Sequence, residues 1–315
     1  MRHCRKIIIA TLIGLVSTSE VGLSQHVTGA SLADEIRACK QSIDAAHGHS
    51  SGESWLKLAM LYQDAAQYQD AERAYGESIR LLKADDPIRL AYALDGMGTL
   101  YVEMGAYSKA EPLEQKALAI REERKDSVGI GRSRMHLAVL SLGTHELTEA
   151  ASDAEQAVNL LVPEGVGIEA GSGGTPEEKM TALIDLSLVR CAQGKCAEAL
   201  PHLRRALNLA RSNYTTKSIP VGFLNFLIGY ASWKSGDSRR AGKLMKTGLS
   251  EMDAEIGWGH PTYVSALMQY ETFLLEEGRS VEASKIRAEI SLTNSSHRQE
   301  EQASGEAVPW EGSTR

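Results

Sequence analysis

Histidine is the side chain of this sequence with the widest range of possible chemistry, and its nine copies are scattered along the chain. His47 and His49 are the one close pair. Two imidazoles alone are a weak indication of a metal site, because a structural zinc ion takes four ligands. His260 stands between Gly259 and Pro261, in a stretch typical of a turn. We therefore interpret all three histidines as turn or linker residues.

The motifs of common catalytic sites are missing from the sequence. It contains neither a Gly-x-Ser-x-Gly elbow nor a His-Glu-x-x-His pair. Paired acids such as Glu122 and Glu123 fall at predicted helix ends, where they are expected to face solvent. We predict no catalytic residue, no cofactor and no metal site, and hence a protein that is not an enzyme. An enzyme or ligand-sensing protein hidden in the fold is the alternative.

Two cysteines could form a disulfide bond. Cys191 and Cys196 are the ends of the segment CAQGKC, and they could pair in an oxidising compartment. The alternative is that both are small buried hydrophobic residues on either side of Gly194.

The first residues have the pattern of a secretory signal peptide. Arg2, Arg5 and Lys6 precede an apolar stretch at 7–16, which small and polar residues follow. The apolar stretch is shorter than a membrane-spanning helix requires. We predict a signal peptide at 1–24, export to the periplasm or the exterior, and no stable membrane insertion after cleavage. A membrane anchor that stays uncleaved is the alternative.

Composition excludes one class of partner and favours one class of fold. The 315-residue chain has a formal net charge of −7 and no basic run, so a nucleic-acid partner is not predicted. Hydrophobic residues make up 43% of the chain but aromatic residues only 5%. This composition favours helices packed through Ala and Leu over a β-sandwich.

An internal repeat with a period near forty residues organises most of the chain. Each copy has an apolar helical stripe, such as Trp55, Leu58, Ala59 and Tyr62, then a break, then a second helix rich in small residues. Alanines of the second helix recur at intervals of 39, 40, 49, 42 and 42 residues, at Ala71, Ala110, Ala150, Ala199, Ala241 and Ala283. A single hairpin of this kind cannot bury its apolar face, so the copies must stack.

These residues resemble those of the tetratricopeptide repeat. Several copies are similar to its longer variant, found in kinesin light chains and many bacterial proteins; the segment GAYSKAEPLEQKALAI at 105–120 is the clearest example. The resemblance implies an all-α, right-handed superhelical solenoid of about six helix-turn-helix repeats. The array is predicted at 53–292, with copies near 53–82, 91–122, 131–161, 180–211, 222–253 and 264–292.

The remaining segments fit around this array. Residues 31–48 are predicted to form an N-terminal capping helix behind Ser31. A Gly-rich insertion at 162–176 accounts for the longest interval between copies. Residues 293–315 are polar and almost without aliphatic side chains, so we predict a disordered tail.

The resemblance also implies a concave binding surface made by the first helices. Phe223, Phe226, Tyr230 and Trp233 share one face of a first helix. The predicted groove residues are Met135, Val139, Leu142, Ile184, Leu188, Phe223, Phe226, Tyr230 and Trp233. The alternative is that these side chains are core, or are covered by another helix or by the tail. We predict a non-catalytic scaffold or adaptor that binds an unknown protein or extended peptide there, with self-association as the alternative.

Overall fold

The computed structural model describes residues 32–45, 51–82, 86–163, 173–214, 218–256 and 261–304. Within these ranges the chain forms thirteen α-helices and no β-strand. The helices are α1 (Leu32–Ala45), α2 (Gly52–Asp64), α3 (Tyr68–Leu82), α4 (Pro87–Glu103), α5 (Tyr107–Arg124), α6 (Ser127–Gly143), α7 (Leu147–Leu161), α8 (Pro176–Ala192), α9 (Cys196–Asn213), α10 (Ile219–Lys234), α11 (Ser238–Ile256), α12 (Pro261–Glu276) and α13 (Ser280–Ser304). The predicted all-α repeat fold is confirmed, and each of the six copies is one pair of helices from α2 to α13.

The described chain divides into two compact units. Unit 1 ends at Leu209 and contains α1 to α8 and most of α9. Unit 2 begins at Ala210 and contains α10 to α13.

The turn inside every hairpin has one residue in the left-handed conformation. Its amide N–H bonds to a carbonyl three residues back, and the next N–H bonds to one five residues back, as from Gly105 to Val102 and from Ala106 to Tyr101. This is the Schellman arrangement, which ends the first helix and starts the second. Glycine fills the position in four copies and Ala66 or His145 in the others, in the order Ala66, Gly105, His145, Gly194, Gly236 and Gly278.

Side-chain caps fix where several first helices begin. Ser51, Asp86, Asp126 and Thr175 each accept a hydrogen bond from an amide in the first turn of α2, α4, α6 and α8. The cap at Thr175 is reciprocal, because the Glu178 carboxylate accepts from the Thr175 amide. Such caps satisfy amides that have no partner within the helix.

In unit 1 the helices of each hairpin meet through small residues. Ala59 and Ala71 join α2 to α3 in one fully buried cluster, to which α1 adds Ile43. Ala91 on α4 and Ala117 on α5 have the same role in the next copy. The absence of long side chains there lets the helix axes come close together.

In unit 2, α10 and α11 approach each other closely at Gly222 and Gly248. A β-carbon on Gly248 would lie 2.6 Å from the Phe226 amide nitrogen and would also collide with the carbonyl oxygen of Gly222. Most other copies have alanine at the place of Gly248. On α10, the Trp233 ring packs perpendicular to the rings of Tyr230 and Phe273, at centroid distances of 5.9 and 5.5 Å.

The ends of the chain differ partly from the predictions. Helix α1 lies within the predicted capping segment, and the predicted signal peptide lies outside the described residues. Helix α13 continues through Ser304, so residues 293–304 are helical where we predicted disorder; their polar side chains include good helix formers such as Gln and Glu. None of the described helices is both long and apolar enough to span a lipid bilayer.

Adding one methyl group should have opposite effects at two helical glycines. Gly248→Ala should destabilise the protein by about 1–3 kcal/mol, because its contacts are rigid backbone atoms. Gly76→Ala, on α3 with no atom within 4 Å of the new β-carbon, should stabilise it by about 0.5–1 kcal/mol. Urea denaturation followed by circular dichroism measures both, and equal changes would contradict the close helix approach.

Candidate functional site

The structure buries most of the residues that we predicted to line an open groove. Val139 is half-buried, and the others have less than a tenth of their surface exposed: Met135, Leu142, Ile184, Leu188, Phe223, Phe226, Tyr230 and Trp233. In unit 1 the cause is that α6 packs against its neighbouring first helices α4 and α8 as well as against α7. These eight side chains therefore belong to the packed interior of this conformation, the alternative that the sequence left open.

All three equivalent positions of the last copy are exposed instead, as is one of the three in the first copy. On α12, Met268, Thr272 and Leu275 form one stripe at helical spacing, with 43% of Met268 and 47% of Leu275 exposed. On α2, Met60 is 54% exposed. All four lie at positions that the repeat pattern assigns to the concave face. We call Met268, Thr272 and Leu275 the α12 stripe.

Unit 1 also contains a buried cluster of charged side chains that was not predicted from the sequence. It consists of Asp95 on α4, Glu114 and Arg121 on α5, and His136 on α6. Arg121 is fully buried, forms an ion pair with Asp95, and donates a hydrogen bond of 2.5 Å to the Ser133 hydroxyl. Nδ1 of His136 lies 3.2 Å from a Glu114 oxygen and 3.8 Å from an Asp95 oxygen.

Burial controls the charge of this cluster. Loss of hydration raises the pKa of the Glu114 carboxyl to about 8, although the adjacent His136 acts to lower it. Asp95 raises this pKa further, because two carboxylates at close range disfavour each other's ionisation. A protonated Glu114 carboxyl hydrogen-bonds to Asp95, which also raises its pKa. When both carboxyl groups are ionised, Oδ1 of Asp95 and Oε1 of Glu114 are buried without a donor among the described residues.

The cluster occupies positions that most other copies fill with apolar core residues. The last copy has Arg287 at the place of Glu114. In copies one, three, four and five the equivalents of Glu114 are Tyr75, Ala154, Leu203 and Met245, and those of Arg121 are Leu82, Leu161, Ala210 and Met252. All eight are buried. Helix α5 thus has charged residues at two positions where most other copies have apolar core residues. An alignment of the copies would show this difference in the sequence.

A second polar network joins three first helices at the edge of this cluster. Arg132 on α6 donates a hydrogen bond of 2.7 Å to the Tyr92 hydroxyl on α4 and pairs with Glu178 on α8. The guanidinium groups of Arg132 and Arg121 lie 4.7 and 5.2 Å from the centre of the Tyr92 ring. Tyr92 is exposed, so the network connects the buried cluster to the surface.

The two candidate disulfide cysteines lie on either side of the turn between α8 and α9. A disulfide joins Cys191 and Cys196, whose Cα atoms are 4.2 Å apart. Cys39 has a free thiol, and burial raises the pKa of that thiol.

Comparison with known proteins supports the repeat assignment. Residues 50–123 match the family model of the tetratricopeptide repeat. No curated protein matches the chain. Among solved structures, the apo form of RapI is similar, with a TM-score of 0.67 and 13% identity over 85% of this chain and 93% of its own.

Two further solved structures share the fold. A putative kinesin light chain of Podosopora anserina with nearly identical TPR-like repeats has a TM-score of 0.50 and 16% identity over 65% of this chain and 96% of its own. NprR in complex with its cognate peptide NprX has a TM-score of 0.51 and 13% identity over 90% of this chain and 77% of its own. Identities this low show similarity of fold alone.

Removing one charged side chain from the cluster should lower the stability of the protein more than removing three. Arg121→Met should destabilise the protein by about 3–5 kcal/mol, because it leaves the Asp95 carboxylate buried without its cation. The triple variant Asp95→Leu/Glu114→Met/Arg121→Met, which uses residue types that other copies have at these positions, should regain most of this loss. Chemical denaturation of both variants measures the difference, and a triple variant less stable than the single one would contradict the prediction.

Proposed function

We propose that this tetratricopeptide-repeat protein binds a protein or extended peptide through exposed apolar side chains of its first helices, and that it does not catalyse a reaction. The observation that carries the proposal is the α12 stripe. Its two apolar members are large, lie two turns apart on one helix, and are about half exposed. Apolar groups in that arrangement fit the side chains of a segment that lies along the helix.

The surroundings of the stripe define the chemistry of the partner. Glu276 beside Leu275 pairs with Lys234, and Glu271 pairs with Arg287, so ion pairs border the stripe. The ammonium of Lys234 also lies over the Trp233 ring. A matching segment has apolar side chains at its centre and polar groups at its ends, as in most interfaces between proteins.

The comparisons give this proposal general support. NprR, which shares the fold, is seen in complex with a peptide. Stacked helical hairpins offer extended surfaces for such ligands. Fold alone does not determine function. We therefore infer the residues of the partner site from the exposure of side chains in this chain, and not from the similar structures.

Peptide selection can test the α12 stripe directly. Peptides selected from a displayed random library on the full chain should share a spaced apolar motif. We expect Met268→Glu/Leu275→Glu to weaken their binding at least about tenfold in fluorescence polarisation, because burying each of these apolar side chains against the peptide contributes about 1 kcal/mol or more.

The matched control is Val281→Glu/Leu292→Glu. Val281 and Leu292 are exposed apolar residues of α13, 73% and 60% exposed, and the changes alter charge equally. This variant should bind the selected peptides as the wild type does. Equal binding by both variants, with helical circular dichroism retained in each, would contradict the assignment of the stripe.

Self-association is the second candidate, favoured by the exposed apolar residues of the last helix, α13. Light scattering of the same two variants separates the possibilities. A dimer that is lost only in Val281→Glu/Leu292→Glu would place a self-association surface on α13 and leave the α12 stripe to another partner.

We also propose that the protein is exported. The charged and apolar pattern of residues 1–24 supports this, as does a disulfide between Cys191 and Cys196, which an oxidising compartment preserves. Intact mass spectrometry of the chain from the extracytoplasmic fraction should find it without residues 1–24. A chain recovered only from the cytoplasm, or with its N-terminus intact, would contradict export with cleavage.

A further inference from the structure

Three metal-binding side chains converge in unit 1 from three successive helices. Asp95, Glu114 and His136 each offer one ligand atom, and these atoms all lie within 4.8 Å of one another. Asp95 and Glu114 are buried, and the His136 side chain is about nine-tenths buried. The packing of three helices therefore brings these groups together from distant parts of the sequence. A cluster of acids on one helix would need no such packing.

The separations of the ligand atoms fit the radius of a small divalent ion. Zinc bonds to imidazole nitrogen and carboxylate oxygen at about 2.0–2.2 Å, which places two tetrahedral ligands about 3.4 Å apart. Nδ1 of His136 lies 3.2 Å from the Glu114 oxygen and 3.8 Å from the Asp95 oxygen. Small side-chain rotations suffice to bring the three atoms around one centre.

An unsatisfied oxygen is an independent sign of a ligand. When Glu114 is ionised, Oδ1 of Asp95, which lies 3.8 Å from Nδ1 of His136, is buried without a hydrogen bond from any described residue. Buried carboxylate oxygens are expensive to leave without a donor or a cation. Arg121 pairs with the other Asp95 oxygen, Oδ2, so Oδ1 is the one left on the side of His136.

The metal-binding form of the cluster has a charge that a cation offsets. Binding of an ion requires the ionised Glu114 carboxylate and the neutral imidazole, so the Glu114 proton leaves as the ion binds; two carboxylates and one guanidinium then carry a net charge of −1. A bound divalent ion offsets this charge, and it replaces several weak contacts by direct metal–ligand bonds. Arg121 would then orient the Asp95 carboxylate, as groups behind metal ligands commonly do.

We propose that Asp95, Glu114 and His136 bind a single divalent transition-metal ion, with Zn²⁺ as the preferred occupant. One imidazole and two carboxylates suit Zn²⁺ and Mn²⁺, and zinc has the higher intrinsic affinity for such a set. Three protein ligands leave one position open in a tetrahedral site. The ion would tie copy two to copy three by joining α4, α5 and α6.

Metal content of the full chain tests this proposal. The chain is equilibrated with excess ZnCl₂, desalted and measured by inductively coupled plasma mass spectrometry. We expect the wild type to retain one more Zn²⁺ per chain than the variant His136→Gln. His202→Gln is the control, because His202 is a partly buried histidine on another helix of unit 1 and is not one of the proposed ligands. We expect zinc affinity to fall at least about tenfold in His136→Gln and to be unchanged in His202→Gln.

Two further measurements keep the test independent of folding defects. Circular dichroism establishes that each variant is folded, and Glu114→Gln replaces His136→Gln if the latter is not. Co²⁺ should give visible absorption bands in the wild type and in His202→Gln that are lost in the ligand variants. Equal zinc content and equal Co²⁺ spectra in the wild type and a folded ligand variant would overturn the proposal and leave the cluster as a closed ion network.

Discussion

The close approach of two antiparallel helices within each hairpin is the constraint on which the rest of the structure depends. Alanines such as Ala59 and Ala71 permit it in unit 1, and Gly222 with Gly248 permit it in unit 2. A left-handed residue at the turn sets the register of the two helices. Once this register is fixed, the repeat decides which side chains lie between hairpins and which remain for a partner.

Local signals explain why the fold could be predicted from the sequence. Apolar periodicity, small residues and four turn glycines act over one or two helical turns, so they are visible without knowledge of distant contacts. The turns at Ala66 and His145 have the same geometry, but neither residue type is specific for a left-handed turn. Exposure was harder to predict: periodicity places Phe226 or Met135 on a face of a helix, but it does not say whether a neighbouring first helix covers that face.

The charged cluster was missed for a different physical reason. Glu114 and Arg121 lie on a helix rich in charged residues, where most such side chains face water. Their burial depends on partners from α4 and α6 that are distant in sequence. A buried charge without its partner would be strongly unfavourable, so the four residues are stable there only as a set. Such a set can be recognised in the sequence only by comparing equivalent positions of the copies.

Equivalent positions along the first helices show where partner recognition can be located. In unit 1, Met60 is exposed, Thr99 and Val139 are half-buried, and Leu188 is buried. In unit 2, Tyr230 is buried with Trp233 while Thr272 of the last copy is exposed. An apolar residue at this position stabilises the stack where neighbours cover it and is available to a ligand where they do not. The same repeat pattern therefore supplies packed interior in the middle copies, and it leaves apolar side chains such as Met60 and Met268 exposed in the first and last copies.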